Sequence, residues 1–118
     1  MNVPVVMGEW GGLCPKKTDW FSHIDFVYSL IEQNQWSSLY WNYYFENDEF
    51  VRLMNRPYPI AVCGDIISYR TDSNERKFFM EYKVSDDYVL AETQIYVPNK
   101  GVQKFKSNYG INKIEISY

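Results

Sequence analysis

The sequence predicts two halves of different texture: an α/β half built as strand, helix, strand, and then an all-β half forming an antiparallel sandwich. Three observations carry this. Residues 3–7 form an apolar run without alternation that ends in Gly8-Glu9-Trp10-Gly11; apolar residues recur at helical spacing through residues 20–33; and beyond Arg56-Pro57-Tyr58-Pro59 the chain breaks into short β-prone runs separated by turn residues. The expected division is residues 1–55, a linker over 56–64, and a sandwich over 65–118.

An apolar run without alternation suits a strand covered on both faces, as in a parallel sheet or barrel. Gly8 permits a turn or a close approach, and Glu9 follows at the strand's carboxyl end, where α/β barrels carry their chemistry. On these residues alone Glu9 is either a carboxylate delivered to a pocket or a loop-start glutamate facing water. Thr18 or Asp19 offers a cap for the helix, whose apolar stripe is Trp20, Phe21, Ile24, Val27, Tyr28 and Ile31, and Asn34 offers a stop. Residues 36–45, rich in Trp, Tyr and Phe, read as the second strand, completing one right-handed β-α-β unit. Such a unit cannot hide its own faces, so it reads as a slice of a larger sheet. Residues 46–49 read as an acidic loop and 50–55 as a short helical turn.

Two prolines in four residues make Arg56-Pro57-Tyr58-Pro59 a stiff joint, with Arg56 and Tyr58 expected to clamp it. Strands are expected over residues 66–70, 77–84, 90–97 and 111–118, with turns at Asp72-Ser73-Asn74 and Ser85-Asp86-Asp87.

The chain has 118 residues, a formal net charge of −3 and 19% aromatic residues. It has no basic excess to mark a nucleic acid as partner. Sugar-binding clefts and large cores both use planar rings, and composition does not separate the two. Charged residues interrupt every long apolar run before the roughly 20 residues needed to cross a bilayer. Residues 1–4 lack the charged and apolar blocks of a secretory signal, so the chain is expected to be intracellular or to lack its true beginning. Cys14 and Cys63 are expected as free or buried thiols, and His23 as a surface or capping residue on the helix. No cluster of residues asks for a metal or a nucleotide, so the expected chemistry uses no cofactor.

Gly8-Glu9-Trp10-Gly11 at a strand end, a helix, and then Tyr40-Trp41-Asn42-Tyr43 on the following strand resemble the last two barrel strands of glycoside hydrolase family 5. The joint, Arg56-Pro57-Tyr58-Pro59-Ile60-Ala61-Val62-Cys63-Gly64, resembles the Arg-Pro-Tyr-Pro-x-Ala-Val-Ala-Gly segment of endoglycoceramidases and related glycosylceramidases, with Cys63 in place of alanine. Thr93-Gln94-Ile95-Tyr96-Val97-Pro98 resembles a Thr-Glu-Ile-Tyr-Val-Pro strand in the sandwich that follows their barrel.

The resemblance implies the end of a (β/α)8 TIM barrel followed by a C-terminal β-sandwich, with Glu9 as nucleophile and Trp41 as the platform for a sugar ring. It implies a glycolipid or oligosaccharide substrate and an extracellular or lysosomal setting. Trp10 is a candidate either to touch substrate or to pack under the loop, and Tyr43, with Tyr44, is divided between the wall of the site and the core. A retaining glycosidase needs a second carboxyl group about 5–5.5 Å from the first. In the family that proton donor is a glutamate after asparagine on the fourth strand, expected upstream of Met1. Asn74-Glu75 falls in a turn beyond the eighth strand and does not match it. The chain alone is therefore expected to be inactive. A second reading makes the β-rich half, with Tyr88, Tyr96, Phe105 and Tyr109, a non-catalytic binder of lipid, carbohydrate or a membrane surface. A third is a piece with no stable fold.

Overall fold

The computed structural model describes residues 3–11, 17–41 and 48–118. The chain divides into two compact units, Met1–Asn55 and Arg56–Tyr118.

The first unit contains β1 (Val6–Trp10), α1 (Lys17–Asn34), β2 (Ser37–Tyr40) and α2 (Asp48–Met54). β1 and β2 pair in parallel, as the unalternated apolar run implied. The second strand starts one residue later than expected and is described as Ser37–Tyr40; residues 42–45 of the expected 36–45 stretch lie, with 46 and 47, outside the described residues. The strands are not covered as expected: Val6 is 64% and Leu39 62% exposed, because the sheet has only these two strands among the described residues.

α1 buries Trp20, Ile24 and Ile31 along one stripe. Its rings and those of α2 build a small aromatic core, in which Phe50 is stacked on Trp20 at 5.1 Å and tilted against Tyr40 at 5.5 Å. The helix begins at Lys17, so Thr18 and Asp19 lie inside the first turn rather than capping it; there Asp19 meets the positive end of the helix dipole. His23 is exposed on α1. Asp48 and Glu49, expected in a loop, open α2, while Glu46 and Asn47 lie outside the described residues.

α1 ends in two reversed hydrogen bonds, Trp36 N–H to Ile31 O at 3.0 Å and Gln35 N–H to Glu32 O at 3.3 Å. This closure places Gln35 at φ 54°, a left-handed position normally held by glycine. A side chain there costs about 1 kcal/mol. Gln35→Gly should therefore raise the urea midpoint of the helical signal by an amount worth about 1 kcal/mol, with unchanged slope. A lowered midpoint would refute the assignment of strain to this residue.

The second unit is a sandwich of two three-stranded antiparallel sheets, ordered β3-β6-β7 and β4-β5-β8. The strands are β3 (Tyr58–Ala61), β4 (Asp65–Asp72), β5 (Lys77–Val84), β6 (Glu92–Val97), β7 (Gly101–Lys106) and β8 (Gly110–Ser117). The 56–64 stretch is not a free linker, since Tyr58–Ala61 pairs with β6 and Tyr58 lies 5.1 Å from Tyr96. Pro59 is tolerated there because β3 is an edge strand with a bulge beside it, where a missing N–H breaks no ladder. β7 has no counterpart in the sequence reading. Residues 90 and 91, expected in a strand, precede β6.

β5 alternates as its sequence implied: Phe78, Met80, Tyr82 and Val84 are buried, and they meet Ile95, Val97, Ile114 and Ile116 in the core. A polar chain crosses this interior. Cys63 N–H donates to Thr93 Oγ1 at 3.1 Å, the Thr93 hydroxyl is hydrogen-bonded to that of Ser107 at 3.2 Å, and the Ser107 hydroxyl to that of Tyr82 at 3.0 Å. All four residues are buried, so each hydrogen bond spares a desolvated group an unpaired state. Cys63 carries more than a neutral replacement for alanine would. Its thiol accepts from Ala91 N–H at 3.2 Å and donates to Val89 O at 3.7 Å, joining the end of β3 to the segment before β6. It is a free, buried thiol; Cys14 lies outside the described residues.

Candidate active site

Glu9 lies inside β1 rather than just after it. The register runs Met7 opposite Ser38 and then Glu9 opposite Leu39, so Gly8 is an extra residue in the strand. Such a bulge shifts the two-residue alternation by one position and re-aims the side chains beyond it. In β1 those side chains are Glu9 and Trp10.

The ladder continues past β2, where Trp41 N–H donates to Trp10 O at 2.8 Å. Gly11 is what lets the two backbones come this close. It holds φ +137°, and a Cβ there would collide with the carbonyl oxygen of Trp41. Reading the sequence gave Gly11 no role; its glycine identity beside Glu9 was the available signal.

Glu9, Trp10, Gly11 and Trp41 line one open depression of about 250 Å³. Glu9 is exposed, and Trp41 is 66% exposed, so its indole is not spent on the aromatic core. Ligand pockets usually measure about 300–1,000 Å³, which makes this depression one wall of a site rather than an enclosed pocket. Glu9 is the one carboxylate lining it among the described residues.

Trp10 has a different part. Its ring meets Tyr28 at 5.3 Å and Tyr40 at 4.8 Å, both edge-on, and its Nε1 is buried with no hydrogen-bond partner among the described residues. That nitrogen is out of reach of a sugar hydroxyl, so Trp10 packs under the strand end and lends the depression only part of its carbon surface. Tyr43 lies outside the described residues. No group of three or more His, Cys, Asp or Glu is placed to hold a metal among the described residues.

The other end of the sequence resemblance falls in the second unit. Thr93 and the Cys63 amide make the buried bond described above, and Gly64 holds φ +126°, where an added Cβ would collide with the carbonyl oxygen of Lys83.

Along the chain, an α/β unit that brings a carboxylate and an exposed indole together is followed by a β-sandwich. Residues 56–116 match the family model described as the glycoside hydrolase family 5 C-terminal domain. The chain belongs to glycoside hydrolase family 5. Structures of sterylglucosidase 1 from Cryptococcus neoformans are similar over 97% of this chain: with tris at TM-score 0.75 and 14% identity, and with hit 1 at 0.72 and 13%. At that identity the likeness is one of fold. This chain spans 28–29% of the length of those proteins. A search of curated proteins found no match. No described helix is long and apolar enough to cross a membrane.

Proposed function

We propose that Met1–Asn55 supplies the last strand-helix-strand portion of a (β/α)8 barrel in a retaining glycoside hydrolase, and that Arg56–Tyr118 is the C-terminal sandwich that follows it in the chain. One observation carries the reading: Glu9 and Trp41, from two adjacent parallel strands, line the same depression at the strands' carboxyl end. Glu9 attacks the anomeric carbon as the glycosidic C–O bond breaks and the leaving oxygen takes a proton from the second carboxyl group, which gives the glycosyl-enzyme, while the face of Trp41 orients the sugar ring. The exposed apolar side chains of β1 and β2 support further strands on either side, since parallel sheets are covered on both faces. The proton donor then comes from one of those strands, and the chain by itself has negligible turnover. The reaction needs no cofactor.

The substrate we propose is a glycosphingolipid, cleaved between glycan and ceramide, in an enzyme working outside the cell or in a lysosome. The similarity to a sterylglucosidase makes a steryl glucoside the natural comparator. The test is a chimaera in which this chain replaces the matching segment of that enzyme, assayed beside the chain alone. We expect no ceramide release by the chain alone. The chimaera should act on glucosylceramide and lose on the order of 10³-fold or more with Glu9→Gln. Trp41→Ala should raise KM more than it lowers kcat. Activity that survives Glu9→Gln would remove the nucleophile assignment. Faster turnover of the steryl glucoside would overturn the ceramide assignment alone.

A further inference from the structure

The strands of the sandwich are joined at two ends of opposite character. The turns at 73–76 and 98–100 share one end, where Lys100 Nζ donates to Ser117 O at 2.8 Å, and Ser73, Asn74, Glu75, Asn99 and Lys100 make it polar. The connections at 62–64, 85–91 and 107–109 share the other, tied by bonds from Cys63 to Val89 and Ala91 and from Tyr109 to Tyr88. Here hydrocarbon faces water. Val89 is 88% exposed, and Tyr88, Leu90, Tyr109 and Ile111 are exposed with it. Tyr96 and Phe105, grouped with Tyr88 and Tyr109 from sequence alone, are used elsewhere: Tyr96 packs on Tyr58 and Phe105 against the core.

The exposed side chains occupy neighbouring positions. Tyr109 OH donates to Tyr88 O at 3.3 Å, and Tyr88 OH donates to Asp65 Oδ1 at 3.1 Å. Asp65 and Ile111 both stand opposite Lys83, which alternates with the buried Tyr82 and Val84, so Ile111 lies on the outer face that Tyr88 reaches.

Single apolar residues on a surface are ordinary. What goes beyond that is the use made of the loop's polar groups. Tyr88 N–H donates to Ser85 O at 3.1 Å, Tyr88 O accepts from Tyr109, Val89 O accepts from the Cys63 thiol at 3.7 Å, and Ala91 N–H donates to the Cys63 sulfur at 3.2 Å. These backbone groups are satisfied from behind, so this part of the loop can leave water without stranding them. A protein partner finds few groups to pair with here, whereas acyl chains ask for none. The patch amounts to roughly a few hundred Å², below the roughly 800 Å² that each partner commits to a stable protein interface. The acids at this end, Asp65, Asp86, Asp87 and Glu92, outnumber Lys83 and Lys106, so an anionic surface gains nothing.

We propose that this end of the sandwich docks on a neutral, zwitterionic lipid surface, with Val89 and Leu90 entering the hydrocarbon edge and Tyr88 and Tyr109 lying at headgroup level. The site is separate from the depression at Glu9 and does not depend on the hydrolase reading.

The test is flotation of the full chain with phosphatidylcholine vesicles, with and without added phosphatidylserine. The chain should float with phosphatidylcholine alone, gain nothing from phosphatidylserine and lose nothing at high salt. Val89→Ser combined with Leu90→Ser should lower the partition coefficient about tenfold or more, and Val89→Trp should raise it several-fold. Val89 is nearly all in water, so these changes should leave the urea midpoint of the sandwich in place. Val6→Ser combined with Leu39→Ser, which removes exposed hydrocarbon from β1 and β2, should leave the partition unchanged. Flotation lost in that pair but kept in the Val89 and Leu90 pair would put the contact on the parallel strands and overturn the proposal. Absence of flotation, or binding that requires phosphatidylserine, would overturn it too. A dimer abolished by Val89→Ser, in a chain that ignores vesicles, would make the partner a second copy instead.

Discussion

Replacing Gly64 with alanine is expected to destabilise the sandwich by about 2–6 kcal/mol, combining backbone strain and overpacking. Gly64 joins β3 to β4 at φ +126°, a conformation that L side chains rarely adopt. An added Cβ would collide with the carbonyl oxygen of Lys83 and lie 3.2 Å from the α-carbon of Val84. Those atoms cannot step aside cheaply. Lys83 is in register with Asp65 on one side and Ile111 on the other, and Val84 with Gly110, so yielding would disturb the end of the central strand. The glycine that closes the Arg-Pro-Tyr-Pro joint thus has a stereochemical reason to be there. Urea unfolding monitored by fluorescence measures the effect, and a Gly64→Ala midpoint equal to the parent's would show that the crowding is not real.

Phe78→Ala should cost about 3–5 kcal/mol, the usual range for emptying a large core site. Phe78 is fully buried on β5, the middle strand of its sheet, beside Tyr69 at 6.1 Å between ring centres. A unit of about 60 residues holds roughly 3–9 kcal/mol of stability in all, so the loss consumes much or all of it. The expected result is a largely unfolded sandwich at 25 °C, seen as collapse of amide dispersion for residues of β4, β5 and β8. Phe78→Leu should restore most of the dispersion because it refills much of the volume. A folded Phe78→Ala chain that has lost less than about 1 kcal/mol would mean that the core closes over the gap.

What could be read from the sequence followed periodicity. α1 announced itself through Trp20, Ile24 and Ile31, and β5 through strict alternation from Phe78 to Val84. The parallel pairing of β1 and β2 followed from an apolar run with no polar face. Of the candidate site, the juxtaposition of Glu9 and Trp41 was legible, because they sit at the ends of two neighbouring strands and a parallel pairing brings those ends together. What escaped depends on tertiary contacts. β7 contains Val102 and Phe105 among Gln and Lys, and it is a strand because β6 offers it a ladder. β3 was hidden by Pro57 and Pro59, whose missing donors matter only away from an edge. The parity shift at Gly8 leaves no trace in composition, since a glycine at a strand end is equally compatible with a turn.

The hydroxyl relay from Cys63 through Thr93 and Ser107 to Tyr82 has a mechanical consequence. Hydrocarbon surfaces tolerate sliding, because a leucine or valine contact displaced by an ångström finds another nearly as good. Hydrogen bonds tolerate it far less, as their strength falls steeply with misalignment. This relay starts on the sheet of β6 and ends on the sheet of β5, so one layer cannot glide over the other without stranding several polar atoms in a dry interior. The sandwich is thereby keyed like two plates joined by a dowel, able to unfold as a whole but not to shear.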